Sequence, residues 1–175
     1  MQHLKQEEGY SLSSDDLKRL CPGARICTYQ SLRGVKNVNE LLNNRQQACF
    51  ILVPIASATQ GHWELLFRAP DGLHFFDPVG CSVDTARLFA PKNVQKQVHD
   101  SQPLLAPLLQ RSGENVKAST HDFQVCAPGV CTCGRHCVVR LWHRDLTDAQ
   151  YAQWLGNFAD KDAEVTRLVA DVLHK

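Results

Sequence analysis

Four residues of this chain have the types and order that acyl transfer through a thiol requires. Cys133 stands in "CTCGRHCVVRLW", where a Gly-containing loop meets an apolar run. A helix N-terminus leaves N–H groups unpaired and carries partial positive charge, and both favour thiolate over thiol. Gly134 permits close approach of a substrate to the backbone. A nucleophilic thiolate needs an imidazole to share its proton and a third group to orient that imidazole. "GHWELLF" sets His62 at the head of one apolar run, and "FFDPVG" sets Asp77 at the tail of the next. The oxyanion that forms during acyl transfer needs donors. The Gln124 side-chain amide and the Cys133 backbone N–H are the candidates.

Each residue also has an ordinary alternative. A strand-end His is commonly a packing residue, an Asp before Pro is a common turn former, and a Cys in an apolar helix is usually inert. A second chemistry competes for the cysteines. Cys126, Cys131, Cys133, His136 and Cys137 could be read as zinc ligands, but their spacing fits no usual finger or ribbon. A disulfide among loop thiols, joined by Cys81, is a further reading.

The elements that must position these groups are legible as patterns. "ACFILVPI" is a continuous apolar run, which predicts a strand buried on both faces. "HWELLFRA" and "LHFFDPV" predict two more strands around the turn signal "PDG". A tight turn at Asp71-Gly72 would leave His62 and Asp77 four residues out of register, about 13 Å at strand rise. Contact between them needs a turn nearer Ala69-Pro70, or a bulge.

Cys137, Val138, Leu141 and Trp142 form one apolar helix face in a helix beginning at Cys133. "SSDDLKRL", "NVNELLNN", "DTARLF", "NVQKQVHD" and "PLLAPLLQRS" predict short helices, the first capped by Ser13 or Ser14. "TDAQYAQWLGNF" has capping-box spacing at Thr147 and Gln150, and "DAEVTRLVADVLHK" is amphipathic. Residues 1–9 read as frayed, "CPGARICTYQSLRG" as loop, and "NVKAST" and "DFQV" as short strand or loop. His74 is expected on the solvent side of its strand, and His136 and His143 on helix surfaces. Trp142 and Trp154 are expected in helix-packing core. Arg135, Arg140 and Arg144 make a modest basic stripe, expected to be a solvated helix face. The class is α+β in one domain, 1–175, with a central mixed or antiparallel sheet packed against the helix that starts at Cys133.

Composition narrows the setting. With 19 Lys and Arg against 18 Asp and Glu, the net charge of +1 points neither to nucleic acid nor to an anionic membrane. The N-terminus has no apolar signal region, and "ACFILVPIA" is too short to span a bilayer. An intracellular, reducing compartment is expected, with the eight cysteines as thiols. No metal or cofactor is called for, and a monomer is expected.

The order and flanking residues resemble adenain, the adenovirus-type cysteine protease, and its relatives the SUMO-specific proteases. The likeness is carried by "GHWELLF", "FFDPVG", "STHDFQ" and "TCGRHCVVRL", and runs from about residue 48 to 142. The resemblance implies a papain-like architecture, with Cys133 as nucleophile, His62 as its base, Asp77 orienting the imidazole and Gln124 in the oxyanion hole. Trp63 and Gly134 would shape a substrate groove that admits Gly beside the scissile bond. The implied substrates are polypeptides: viral capsid or core precursors, or alternatively ubiquitin-like conjugates. In that setting the location is the host nucleus or cytoplasm and the virion. A catalytically inactive peptide-binding module is a further alternative. Adenain uses DNA and a short peptide as cofactors, and the near-neutral charge here does not support either. The Gln124-to-Cys133 interval is two residues longer than in adenain, so "CAPGVCT" must bulge and Cys131 competes with Cys133.

Overall fold

The computed structural model describes residues 2–175. In chain order it comprises α1 (Gln2–Glu8), α2 (Ser14–Leu20), β1 (Arg25–Thr28), α3 (Asn39–Leu42), β2 (Ala48–Ser57), β3 (Gln60–Ala69) and β4 (Gly72–Phe76). It continues with α4 (Lys92–Gln97), α5 (Leu105–Ser112), β5 (Val116–Ala118), α6 (Cys133–Trp142), α7 (Asp148–Gly156) and α8 (Lys161–Leu173). Short 3-10 turns follow β1 at Tyr29–Gly34 and precede α4 at Ala86–Phe89. The fold is α+β, with a five-stranded mixed sheet in the order β1-β2-β3-β4-β5. The central pairs β2–β3 and β3–β4 are antiparallel, and the outer pairs β1–β2 and β4–β5 are parallel.

Both faces of the sheet are covered, which is why β2 is apolar at nearly every position. One face presents Phe50, Trp63, Leu65, Phe67 and Phe76 to α6, with α2, α7 and α8 completing the layer. The other presents Ile51, Val53, Leu66 and Phe75 to α3, α5 and the turn around Tyr29. The capping boxes are formed: Ser13 with Asp16 opens α2, and Thr147 with Gln150 opens α7.

Two-sided burial overturns several expectations. His74 is buried, not solvent-facing; its ring stacks on Phe67 and its Nε2 lies 2.7 Å from Asp71. Arg135 and Arg140 are not a solvated stripe but are among the largest fully buried side chains. Arg140 lies between the rings of Phe67 and Tyr151, 4.9 Å from each, and bonds the carbonyls of His143 and Leu146. Arg135 donates to the Tyr10 carbonyl. His136 is fully buried and faces Asp162, whereas half-buried His143 stacks on Trp154. Trp142 reaches the surface, its indole donating to the Leu20 carbonyl.

The segment read as frayed forms α1, leaving Met1 outside the described residues, and α1 packs on α8. The segment read as loop contains β1, whose four residues are too few to show a period. "DFQV" has no regular structure.

Leu65 is fully buried at the centre of β3, facing α6. Leu65→Ala is expected to lower unfolding free energy by about 2–5 kcal/mol, read from urea denaturation, because the rigid sheet cannot collapse onto the cavity.

Candidate functional site

The site lies where the β3–β4 hairpin edge meets the N-terminus of α6. Leu65 pairs with Phe76 and Ala69 with Gly72, so the turn is Pro70-Asp71. Extending that register by one step sets Asp77 opposite Glu64, two residues from His62 and on the same face. Diagonal neighbours on one face are about 7–8 Å apart, within reach of long side chains. His62 Nε2 and Asp77 Oδ2 are 3.1 Å apart, without the alignment of a good hydrogen bond. Asp77 is fully buried and the His62 side chain nearly so.

The turn after β4 does two jobs. Asp77 Oδ1 accepts from the Val79 N–H at 2.8 Å, which fixes the carboxylate. The Pro78 carbonyl accepts from the N–H groups of Phe123 and Gln124, both at 2.9 Å, which brings the Gln124 segment to the same place. Gly80 closes the turn at φ +74°, where a Cβ would stand 3.0 Å from the His121 carbonyl oxygen. On the other side of His62, Gly61 lies so close to β2 that a Cβ would overlap the Val53 carbonyl oxygen.

Cys133 is the first residue of α6 and is 5% exposed. His62 and the backbone N–H groups of Trp63 and Gly134 are near enough to the thiol to favour its charged form. Burial alone would raise the thiol pKa; the hydrogen bond and charge of His62, with the two N–H groups, outweigh it and hold it below the ordinary value. Burial opposes charge on His62 too, but the bonds to Asp77 and Cys133 carry its pKa well above that of free imidazole. Both shifts favour the thiolate–imidazolium form of the pair over the neutral one. Cys131 sits before the helix, its N–H bonded to the Glu8 carbonyl. Burial pushes Cys137 well up, and Cys81 up to about 11.

Gln124 is nearly buried, and its Oε1 has no hydrogen-bond partner. With His62 it lines two adjoining cavities of about 400 Å³ each. Cys133, Cys131, Gln60 and Gly61 line the first, and Val79, Phe89 and Pro128 line the second. Trp63 and Gly134, singled out for the groove, are both buried, and Trp63 lines a further cavity with Ser11, Gln60 and Gly61. Trp63 points to the opposite face from His62 and bonds the Leu12 carbonyl at 3.0 Å. A Cβ on Gly134 would press on that indole at 3.1 Å.

The zinc arrangement is not assembled. Cys133 is engaged by His62, Cys137 by the Trp63 carbonyl and His136 by Asp162. Among the described residues no cluster of three or more such side chains could hold a metal ion, and all eight cysteines are free thiols.

Asp162 of α8 escaped sequence reasoning, because a first-turn acid looks like an ordinary helix-dipole partner. It accepts from the Val125 N–H at 2.9 Å, from the Thr132 hydroxyl and from His136. It thus ties the Gln124 segment to the residue that precedes Cys133. Glu64 also escaped, since a single acid inside an apolar strand has no motif.

No family model matches the chain. The chain is similar to the uncharacterized protein V9 of the Sputnik virophage, 29% identical over 157 residues that span 89% of each chain. The likeness is thus to a viral protein.

Burial lowers the His136 pKa despite the Asp162 carboxylate, so the imidazole is neutral in the fold. An unfolded His takes up a proton as pH falls through about 6.5, and buried His136 resists it, so stability drops on the acid side. His136→Gln is expected to lose less stability than wild type between pH 7 and pH 5, measured by urea denaturation at each pH.

Proposed function

We propose that this chain is a cysteine peptidase of the adenain type. The observation that carries the reading is the convergence of Cys133 at the first position of α6, His62 lining the same cavity, and buried Asp77 3.1 Å from the His62 ring. In the first step the Cys133 sulfur attacks the peptide carbonyl carbon, and the negative charge moves to the carbonyl oxygen. The Gln124 amide and the Cys133 N–H, unpaired in the first turn of α6, donate to that oxygen. The C–N bond then breaks as His62 gives its proton to the leaving amine, leaving a thioester. Water attacks the thioester with His62 taking a proton, and the Cys133 thiolate departs. Asp77 keeps one ring nitrogen engaged, so the other serves the sulfur.

The two cavities that meet at His62 and Gln124 suit an extended polypeptide laid across the thiol. By resemblance, the residue beside the scissile bond is Gly. The likeness to a virophage protein supports a viral setting, in which the proposed substrate is a viral precursor protein cleaved inside the host cell. In this reading the protein acts as a monomer and needs no metal, DNA or activating peptide.

Brief sub-stoichiometric iodoacetamide at pH 6.5, followed by peptide mapping, is expected to mark Cys133 before the other seven cysteines. That selectivity is expected to vanish in His62→Ala, and Cys133→Ala is expected to cleave no Gly-containing peptide or precursor. Cleavage by Cys133→Ala, or unselective labelling of wild type, would reject the reading.

A further inference from the structure

Glu64 is the least expected side chain of the sheet. It sits inside β3 between Trp63 and Leu65, 1% exposed, and neither of its carboxyl oxygens has a hydrogen-bond partner. Asp77 Oδ2 likewise lacks an aligned donor. The two carboxyls face each other across the end of the hairpin: one step beyond the last β3–β4 pair, Leu65 with Phe76, the register sets Asp77 opposite Glu64. As two carboxylates they would repel in a dry site, each with orphaned oxygens. One proton between them satisfies both at once.

Resting on the peptidase reading above, we propose that Glu64 is a positioning residue: as a neutral acid it donates a hydrogen bond to the Asp77 carboxylate and holds it against His62. Glu64 does not touch the reacting atoms. It acts through Asp77, making the pair that faces His62 an acid–carboxylate pair with one negative charge. Burial, first, and then the charge of Asp77 push the Glu64 pKa up to about 8, and the nearby His62 opposes the rise.

The other groups around it are accounted for. Asp84, on the segment after β4, adds to the rise, but its oxygens are occupied by the Tyr29 hydroxyl and the N–H groups of Leu105 and Ala106. Cys81 of the same segment and Cys137 of α6 are held as neutral thiols. His62 is the cation that opposes the rise. Above its pKa a second buried negative charge appears beside His62. That charge holds the imidazolium more tightly and makes it a poorer acid for the leaving amine.

Infrared spectroscopy of the whole protein tests the proton directly. The wild type at pH 7 is expected to show the C=O stretch of a buried neutral carboxyl. The band should be absent in Glu64→Gln, shifted in Asp77→Asn and lost as pH rises through about 8. Absence of the band at pH 7, or a band indifferent to Asp77→Asn, would overturn the inference whatever the protein cleaves. The Cys133 alkylation rate supplies the second arm. Glu64→Leu, with circular dichroism showing an intact fold, is expected to slow alkylation about tenfold at pH 7 through loss of a bond to a charged acceptor. Glu64→Gln, which keeps a donor, is expected to recover most of that rate but to lose the inflection near pH 8. A Glu64→Gln profile that retains the inflection would count against Glu64 as its source. A wild type that shows the band and labels at Cys133 but cleaves no peptide would reject the peptidase reading while leaving the Glu64–Asp77 bond standing.

Discussion

The diagonal contact between His62 and Asp77 depends on where one turn falls. With Pro70-Asp71 at the turn, Asp77 projects on the same face as His62, two residues along the neighbouring strand. Moving the turn by half a step would shift the pairing by one residue and send Asp77 to the other face relative to its partners. The register is held from several sides. Asp71 binds both His74 and Lys117, which lowers its pKa to about 2 and joins β4 to β5 at the hairpin tip. Leu66 and Phe75 are buried on one face and Leu65 and Phe76 on the other, so a slip would put His62 and Glu64 in the wrong layer.

From that contact the rest of the site is assembled by shared anchors rather than by separate ones. The turn that fixes the Asp77 carboxylate also offers the Pro78 carbonyl to Phe123 and Gln124. Asp162 then joins Val125 to Thr132, just before Cys133. The irregular 119–132 segment is therefore positioned at both ends by buried polar groups, which explains how a chain stretch without regular structure can hold Gln124 beside a thiol. Such networks are demanding, because each buried donor left without its acceptor costs about 1–3 kcal/mol. The same economy holds at Trp63, whose indole and carbonyl respectively engage Leu12 and Cys137.

Much of this was legible in the chain. The strands from "ACFILVPI", "HWELLFRA" and "LHFFDPV", the helix opening at Cys133 and both capping boxes follow from local pattern, and local pattern is what short-range sterics and hydrogen bonding determine. The types of His62, Asp77, Gln124 and Cys133, and their places at element ends, were equally readable. Three errors share one cause. His74, His136 and the Arg135–Arg140 pair were assigned to solvent because polar residues usually face it. They are buried because both faces of the sheet and the far side of α6 are covered by segments distant in the chain, some earlier and some later.

What the sequence determined by itself, then, was the inventory: which residues can carry thiol chemistry, and which segments can form strands and helices to bear them. Tertiary structure decided the rest. It decided the turn position, because several turns were chemically acceptable and only burial on both faces selects one register. It decided that Cys133 opens α6 while Cys131 precedes it, and that both line one cavity with His62, because α6 packs on β3. It set Glu64 near Asp77 and Asp162 against Thr132 and His136, because a buried carboxyl takes its meaning from partners far away in the chain, and no local pattern encodes them.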